Sequence, residues 1–259
     1  MTHMLMALLI TLSLFFGMLL FLDIGRRIGV RQRLRDPESA GAGTGAIDGA
    51  VFALLGLLVA FTFSGAAMRF DGRRALIIEE ANAIGTAYLR LDLAPLNAQP
   101  ALRETFRRYV DSRLEAYRKL PDMEAAKTAL ARSAQLQGEI WNQAVALGRM
   151  EGVSSAATML LLPALNQMID ITTTRTMAGQ MHPPRVIFIM LFGLALASAL
   201  LAGYGMSGGK SRDWLHLLAF AMVMAVVVYV IIDIEYPRLG LIQVDAFDQV
   251  LIDVRESTK

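Results

Sequence analysis

Four stretches of this chain run for about 20 residues with almost no charge: residues 4–22, 46–67, 186–204 and 214–232. A helix rising about 1.5 Å per residue needs that length to cross a hydrocarbon layer about 30 Å thick. Lipid offers no hydrogen bonds to a bare backbone, so each stretch is expected to be a transmembrane helix. The first has no basic opening region and runs straight into Asp23, Arg26 and Arg27 without a small-residue cleavage pattern, so it reads as a retained span. A fifth apolar patch, residues 156–165, has about half the length and contains Pro163, which suits a domain core or an interfacial segment. With 55% apolar and 19% charged residues among 259, the chain is too apolar for a soluble domain of its size.

The expected fold is therefore an all-α membrane protein, with four transmembrane helices and a helical extramembrane domain between spans two and three. Residues 1–67 hold the first two spans and a basic connecting loop, and 68–184 the extramembrane domain continuing from span two. Spans three and four occupy 185–234, and 235–259 form a tail that docks on the domain. No polar break follows span two: Met68, Arg73, Ile77, Ala81 and Ile84 keep the helical period until Asp92 and Pro95. Leu102, Phe106, Tyr109, Val110, Leu114 and Tyr117 then mark an amphipathic helix ended by Pro121. A weaker helix over 122–150 puts Leu130, Ala134, Trp141 and Val145 on one side, with Gly152 at its end, and a third runs from about 154 to 177. The piece 239–244 after span four is apolar and partly β-branched.

Several function classes are excluded at this level. A net charge of +2, evenly spread, gives no footprint for nucleic acid. With no cysteine there is no disulfide, thiolate ligand or redox thiol. His3, His182 and His216 lie too far apart for a zinc motif, and Asp245, Asp248 and Asp253 lack the spacing of a calcium loop, so no metal and no cofactor are expected. No nucleophile elbow, phosphate loop or histidine with an acid–base partner is present, and the chain is not expected to be an enzyme.

Small residues recur at four-residue intervals on two spans, Gly56, Ala60 and Ser64 on the second and Ala195, Ala199 and Gly203 on the third. Such stripes let helix backbones approach closely, either at an oligomer seam or inside one subunit. Positive charge in the loops leaves the sidedness of the domain open: Arg26, Arg27, Arg31, Arg33, Arg35, Lys210 and Arg212 favour one side, and Arg69, Arg73, Arg74, Arg175 and Arg185 the other.

The run from Leu54 through Phe61-Thr62-Phe63-Ser64, the segment Arg69-Phe70-Asp71-Gly72-Arg73-Arg74 and the stretch from Glu79-Glu80-Ala81-Asn82 to Tyr88-Leu89-Arg90 resemble the bacterial bestrophin-like family. The basic loop after span one, the piece 233–240 and the four-span layout extend that resemblance over nearly the whole chain. It implies distant similarity to bestrophin anion channels: homo-oligomers, pentamers in that family, in which the second span lines a pore with a hydrophobic neck and continues into a long helix. It also implies a multi-pass protein of the bacterial inner membrane, with the lipid bilayer and inorganic anions as partners.

Two functions are open on this reading. In the first, an oligomeric anion-permeable channel, Phe52, Gly56, Val59, Thr62, Phe63, Arg69 and Arg73 are the pore-lining candidates; apolar side chains gate by dewetting and the arginines raise the local anion concentration. In the second, a non-conducting scaffold or sensor, the helical domain binds a protein or ligand through a polar cluster of Asp71, Arg74, Glu79, Glu80, Asn82, Tyr88 and Arg90. So many polar groups on one helix cannot all face solvent, and buried ion pairs that fix register account for them without a ligand.

Overall fold

The structure is a computed structural model, and it describes residues 2–36, 45–120, 122–151, 153–209, 214–242, 244 and 248–258. Pro121, Gly152, Lys210, Arg212 and Asp245, to which the sequence assigns helix ends, loop charge or a place in the tail, lie outside the described residues, as does most of the linker after span one. Among the described residues there are eight α-helices and no strand: α1 (Thr2–Arg35), α2 (Gly45–Leu89), α3 (Gln99–Arg118), α4 (Met123–Gly148), α5 (Ser155–Gln180), α6 (Arg185–Gly205), α7 (Trp214–Glu235) and α8 (Gln249–Ser257). The apolar piece 239–244 forms turns and bends where it is described, and the chain beyond it is helical.

The chain divides into two compact units. One comprises Met1–Met68 with His182–Leu241, the other Arg69–Met181 with Ile242–Lys259. The boundary falls inside α2, whose 45 residues continue unbroken past the apolar run. Four helical stretches are long and apolar enough to cross a membrane, and they contain the four apolar runs.

In the first unit α1 packs along α6 and α7. The approach of α1 to α6 is close enough to require glycine: a Cβ on Gly25 would lie 1.9 Å from the Leu200 carbonyl oxygen, and one on Gly203 2.0 Å from that of Leu22. Ala195 and Ala199 are fully buried, so the small-residue stripe of span three is a packing seam within the chain. The stripe on span two has the opposite fate: Gly56, Ala60 and Ser64 are all exposed, and no atom lies within 4 Å of a Cβ built on Gly56. Identical spacing thus serves two environments.

Past α7 the chain turns back sharply. The Asp233 carboxylate accepts hydrogen bonds from the Leu241 N–H at 2.9 and 3.0 Å, and a Cβ on Gly240 would sit 2.0 Å from Asp233 Oδ1. The buried Glu235 pairs with His182 Nδ1 at 3.2 Å, and the His182 ring stacks on Tyr236 at 4.5 Å.

The second unit is a helical bundle around Ile84, Leu91, Leu102, Phe106, Ile140 and Leu165. Tyr88, Phe106 and Tyr109 meet edge to face, with centroids 5.6 and 6.0 Å apart. Helix α3 buries the face its periodicity marked. Helix α4 buries a different one from that expected: Ala126, Ala129, Ser133, Leu136, Ile140 and Ala144 face the core, whereas Ala134 is exposed and Leu130, Trp141 and Val145 are half-buried. Alanine and serine leave room for close helix approach but stand out weakly in hydropathy, which is why the larger residues misled. Asp122 caps α4, accepting from the N–H groups of Glu124 at 3.1 Å and Ala125 at 3.0 Å.

The tail is part of this bundle. Val244 and Leu251 join the core, Arg255 grips Asp111 at 2.5 and 3.0 Å, and the Thr258 carbonyl accepts from Tyr88 Oη at 3.1 Å and Arg107 Nε at 2.6 Å.

Candidate functional site

Only one of the two adjacent glutamates on α2 is buried. Glu79 faces solvent, while Glu80 is completely covered and lies between two arginines from distant parts of the chain. Arg113 Nε of α3 donates to Glu80 Oε1 at 2.5 Å, and Arg175 Nη1 of α5 donates to Glu80 Oε2. Tyr117 completes the cluster: its hydroxyl donates to Glu80 Oε2 at 3.4 Å, and its ring lies under the Arg175 guanidinium, 3.7 Å from the centroid. Arg175 extends the network to Asp248 at 3.2 Å, at the start of α8. Two carboxylates thus balance two arginines.

Burial by itself pushes the Glu80 carboxyl up, but Arg113 and Arg175 outweigh it and hold the group below the ordinary carboxylate range. Burial also opposes the Arg113 charge, and the neighbouring Tyr117 and Glu80 reverse that, keeping it above the usual arginine value. Tyr109 is pushed up by burial, so its hydroxyl stays neutral and accepts from Gln137 Nε2 at 3.3 Å. Gln137 also donates to Thr172 Oγ1 at 3.2 Å. The cluster joins α2, α3, α5 and the tail through satisfied, desolvated charges.

The remaining members of the expected polar cluster are scattered. Asp71 and Arg74 pair with each other at 3.0 Å near the surface, and Asn82 is exposed. Tyr88 is buried, accepting from Arg103 Nη1 at 3.0 Å. Arg90 donates to the Leu160 carbonyl of α5 at 2.5 Å. Residue chemistry flagged Glu80 but passed over Arg113, Arg175 and Tyr117. Their helical positions were visible; their convergence was not.

The pore-lining candidates also divide. Gly56 and Phe63 are exposed along α2. Phe52 and Val59 are half-buried, the Phe52 ring meeting Phe220 of α7 edge to face at 6.2 Å. Thr62 is buried and its hydroxyl donates to the Leu58 carbonyl at 2.6 Å. Arg69 is half-buried. Arg73 donates to the carbonyls of Ala178 at 3.1 Å and Met181 at 2.8 Å, capping the C-terminal end of α5. No group of three or more potential metal ligands occurs among the described residues.

Solved structures similar to this chain include three point variants of a bacterial bestrophin homologue from Klebsiella pneumoniae. One has 13% sequence identity over 95% of this chain and 99% of that chain, with a TM-score of 0.67. A second has 16% identity over 95% and 98%, with a TM-score of 0.66. A third has 16% identity over 92% and 98%, with a TM-score of 0.63. At these identities the likeness is one of fold. Comparison with curated proteins gives no match. The sequence model described as Bestrophin-like domain matches residues 24–246, most of the chain and three of its four apolar runs. This multi-pass membrane protein therefore belongs to the bestrophin-like domain family.

Proposed function

We propose that the protein is an oligomeric, anion-permeable channel of the bacterial inner membrane, with α2 lining the pore. The observation that carries the reading is the unpartnered face of α2. Gly56, Ala60, Phe63 and Ser64 lie exposed on a helix whose opposite side is covered by its own chain at Leu55, Thr62 and Ala66. In a membrane such a face meets lipid or other copies of the chain, and small residues alternating with phenylalanine suit a narrow axis of close-packed helices. Phe63 would supply the hydrophobic constriction and Gly56 the close approach. Thr62 would support the helix from behind, and Arg69 and Arg73 would attract anions at the membrane exit. Residues 68–184 would form the extramembrane domain, held to α2 through Glu80, with the tail from residue 235 docking on it.

The test is current through a planar bilayer holding the purified full-length protein under a chloride gradient. A reversal potential displaced towards that of chloride is expected. Silence from folded, reconstituted oligomer would overturn the channel reading in favour of a non-conducting scaffold or sensor.

A further inference from the structure

A cleft of about 690 Å³ lies between α1, α6 and the beginning of α7, away from α2 and independent of its role. Its two ends differ in chemistry. One is walled by Leu19, Leu20, Leu22 and Leu217; at the other stand Arg26, Arg27, Asp23 and Trp214, with His216 beside them. The apolar run of α1 ends at Leu22, and 19 residues at 1.5 Å each come to about 28 Å, nearly the hydrocarbon thickness. The charges of Asp23, Arg26 and Arg27 therefore fall at the headgroup level. Trp214, at the opening of the apolar run of α7, occupies the boundary position that tryptophan favours.

The charges at this end do not cancel. Arg27 Nε pairs with Asp23 Oδ2 at 2.7 Å, while no described carboxylate lies within ion-pair distance of Arg26. Among the described residues the polar end sets two arginines against one carboxylate, a balance that suits the single negative charge of a phosphodiester. Its leucine wall matches an acyl chain. We propose that this cleft is a binding site for an anionic phospholipid, the phosphate on Arg26 and Arg27 and the upper chain along Leu19, Leu22 and Leu217. Basic pockets between membrane helices recognise anionic headgroups in this way. An inorganic anion would leave the leucine wall unused.

The chain carries two tryptophans, and Trp141→Phe leaves Trp214 in the cleft as the sole reporter. The full-length variant is reconstituted in phosphatidylcholine with small fractions of lipid brominated on its chains. Brominated phosphatidylglycerol should quench Trp214 at a mole fraction roughly fivefold lower than brominated phosphatidylcholine. Arg26→Gln should remove most of that preference and Arg26→Lys retain it, whereas Arg35→Gln, on the same helix but outside the cleft, should leave it intact. Native mass spectrometry of the unmutated protein in mixed lipid gives the same comparison without a substitution. Equal quenching by the two lipids, or equal losses from Arg26→Gln and Arg35→Gln, would overturn the proposal. So would displacement of phosphatidylglycerol by millimolar inorganic phosphate, which marks a simple anion site. Disulfide-linked dimers from Leu20→Cys in the bilayer would mark the cleft as a subunit seam instead.

Discussion

Glu80 Oε1 on α2 lies 2.5 Å from Arg113 Nε on α3, both side chains almost wholly removed from solvent, and the second carboxylate oxygen is held by Arg175 of α5. Removing one member of such a group leaves uncompensated charge in the interior, which costs more than the intact pair contributes. Glu80→Met is expected to destabilise the helical bundle by about 3–5 kcal/mol. The triple replacement of Glu80, Arg113 and Arg175 by methionine should cost less than the single one, because no charge is stranded. Thermal unfolding followed by circular dichroism in detergent orders the variants; a triple variant less stable than Glu80→Met would refute the argument.

The same group sets a pH dependence. The folded carboxyl of Glu80 is held below its ordinary range, so its contribution to stability is present in full above that range and is lost as the pH falls through the depressed folded value. The difference in melting temperature between the natural protein and Glu80→Gln should accordingly be constant near neutrality and shrink on acidification. A difference that grows towards low pH would show the sign to be wrong.

Gly25 and Gly203 hold α1 against α6. Alanine at either must push the helices apart, since its Cβ would meet a backbone carbonyl at 1.9 or 2.0 Å, and an overpacking cost of about 1–3 kcal/mol is expected. Gly17→Ala meets only the end of the Leu196 side chain, at 3.2 Å, and should be milder. Comparable melting temperatures for the Gly17 and Gly203 variants would contradict the close approach.

Gly240→Ala would drive a Cβ into the Asp233 carboxylate and break its hold on the Leu241 N–H. A loss of about 1–3 kcal/mol is expected. Asp233→Asn retains an acceptor oxygen and should lose less, which urea titration of the two variants can decide.

For the channel reading, Phe63→Ala should raise single-channel conductance and Arg69→Glu should shift the reversal potential away from chloride. Unchanged currents in both would remove α2 from the pore. Topology is testable because the chain has no cysteine. Cysteines at the exposed Gln32 and Lys127 should label from opposite faces of the membrane.

Hydropathy alone marked the four spans, because a membrane helix must satisfy its backbone internally and show lipid an apolar surface, and both demands are written locally in the chain. The buried face of α3 and the continuation of α2 past its apolar run were legible for the same reason, as local periodicity. What each surface meets was decided only by tertiary structure. The stripe Gly56, Ala60 and Ser64 and the stripe Ala195, Ala199 and Gly203 share one spacing, yet the second packs against α1 while the first remains uncovered in the chain. Glu79 and Glu80 are adjacent and chemically alike, yet only Glu80 meets Arg113, 33 residues away, and Arg175, 95 residues away. Spacing fixes which side chains share a helix face; whether a charge on that face meets water or another charge depends on which distant helix the fold brings beside it.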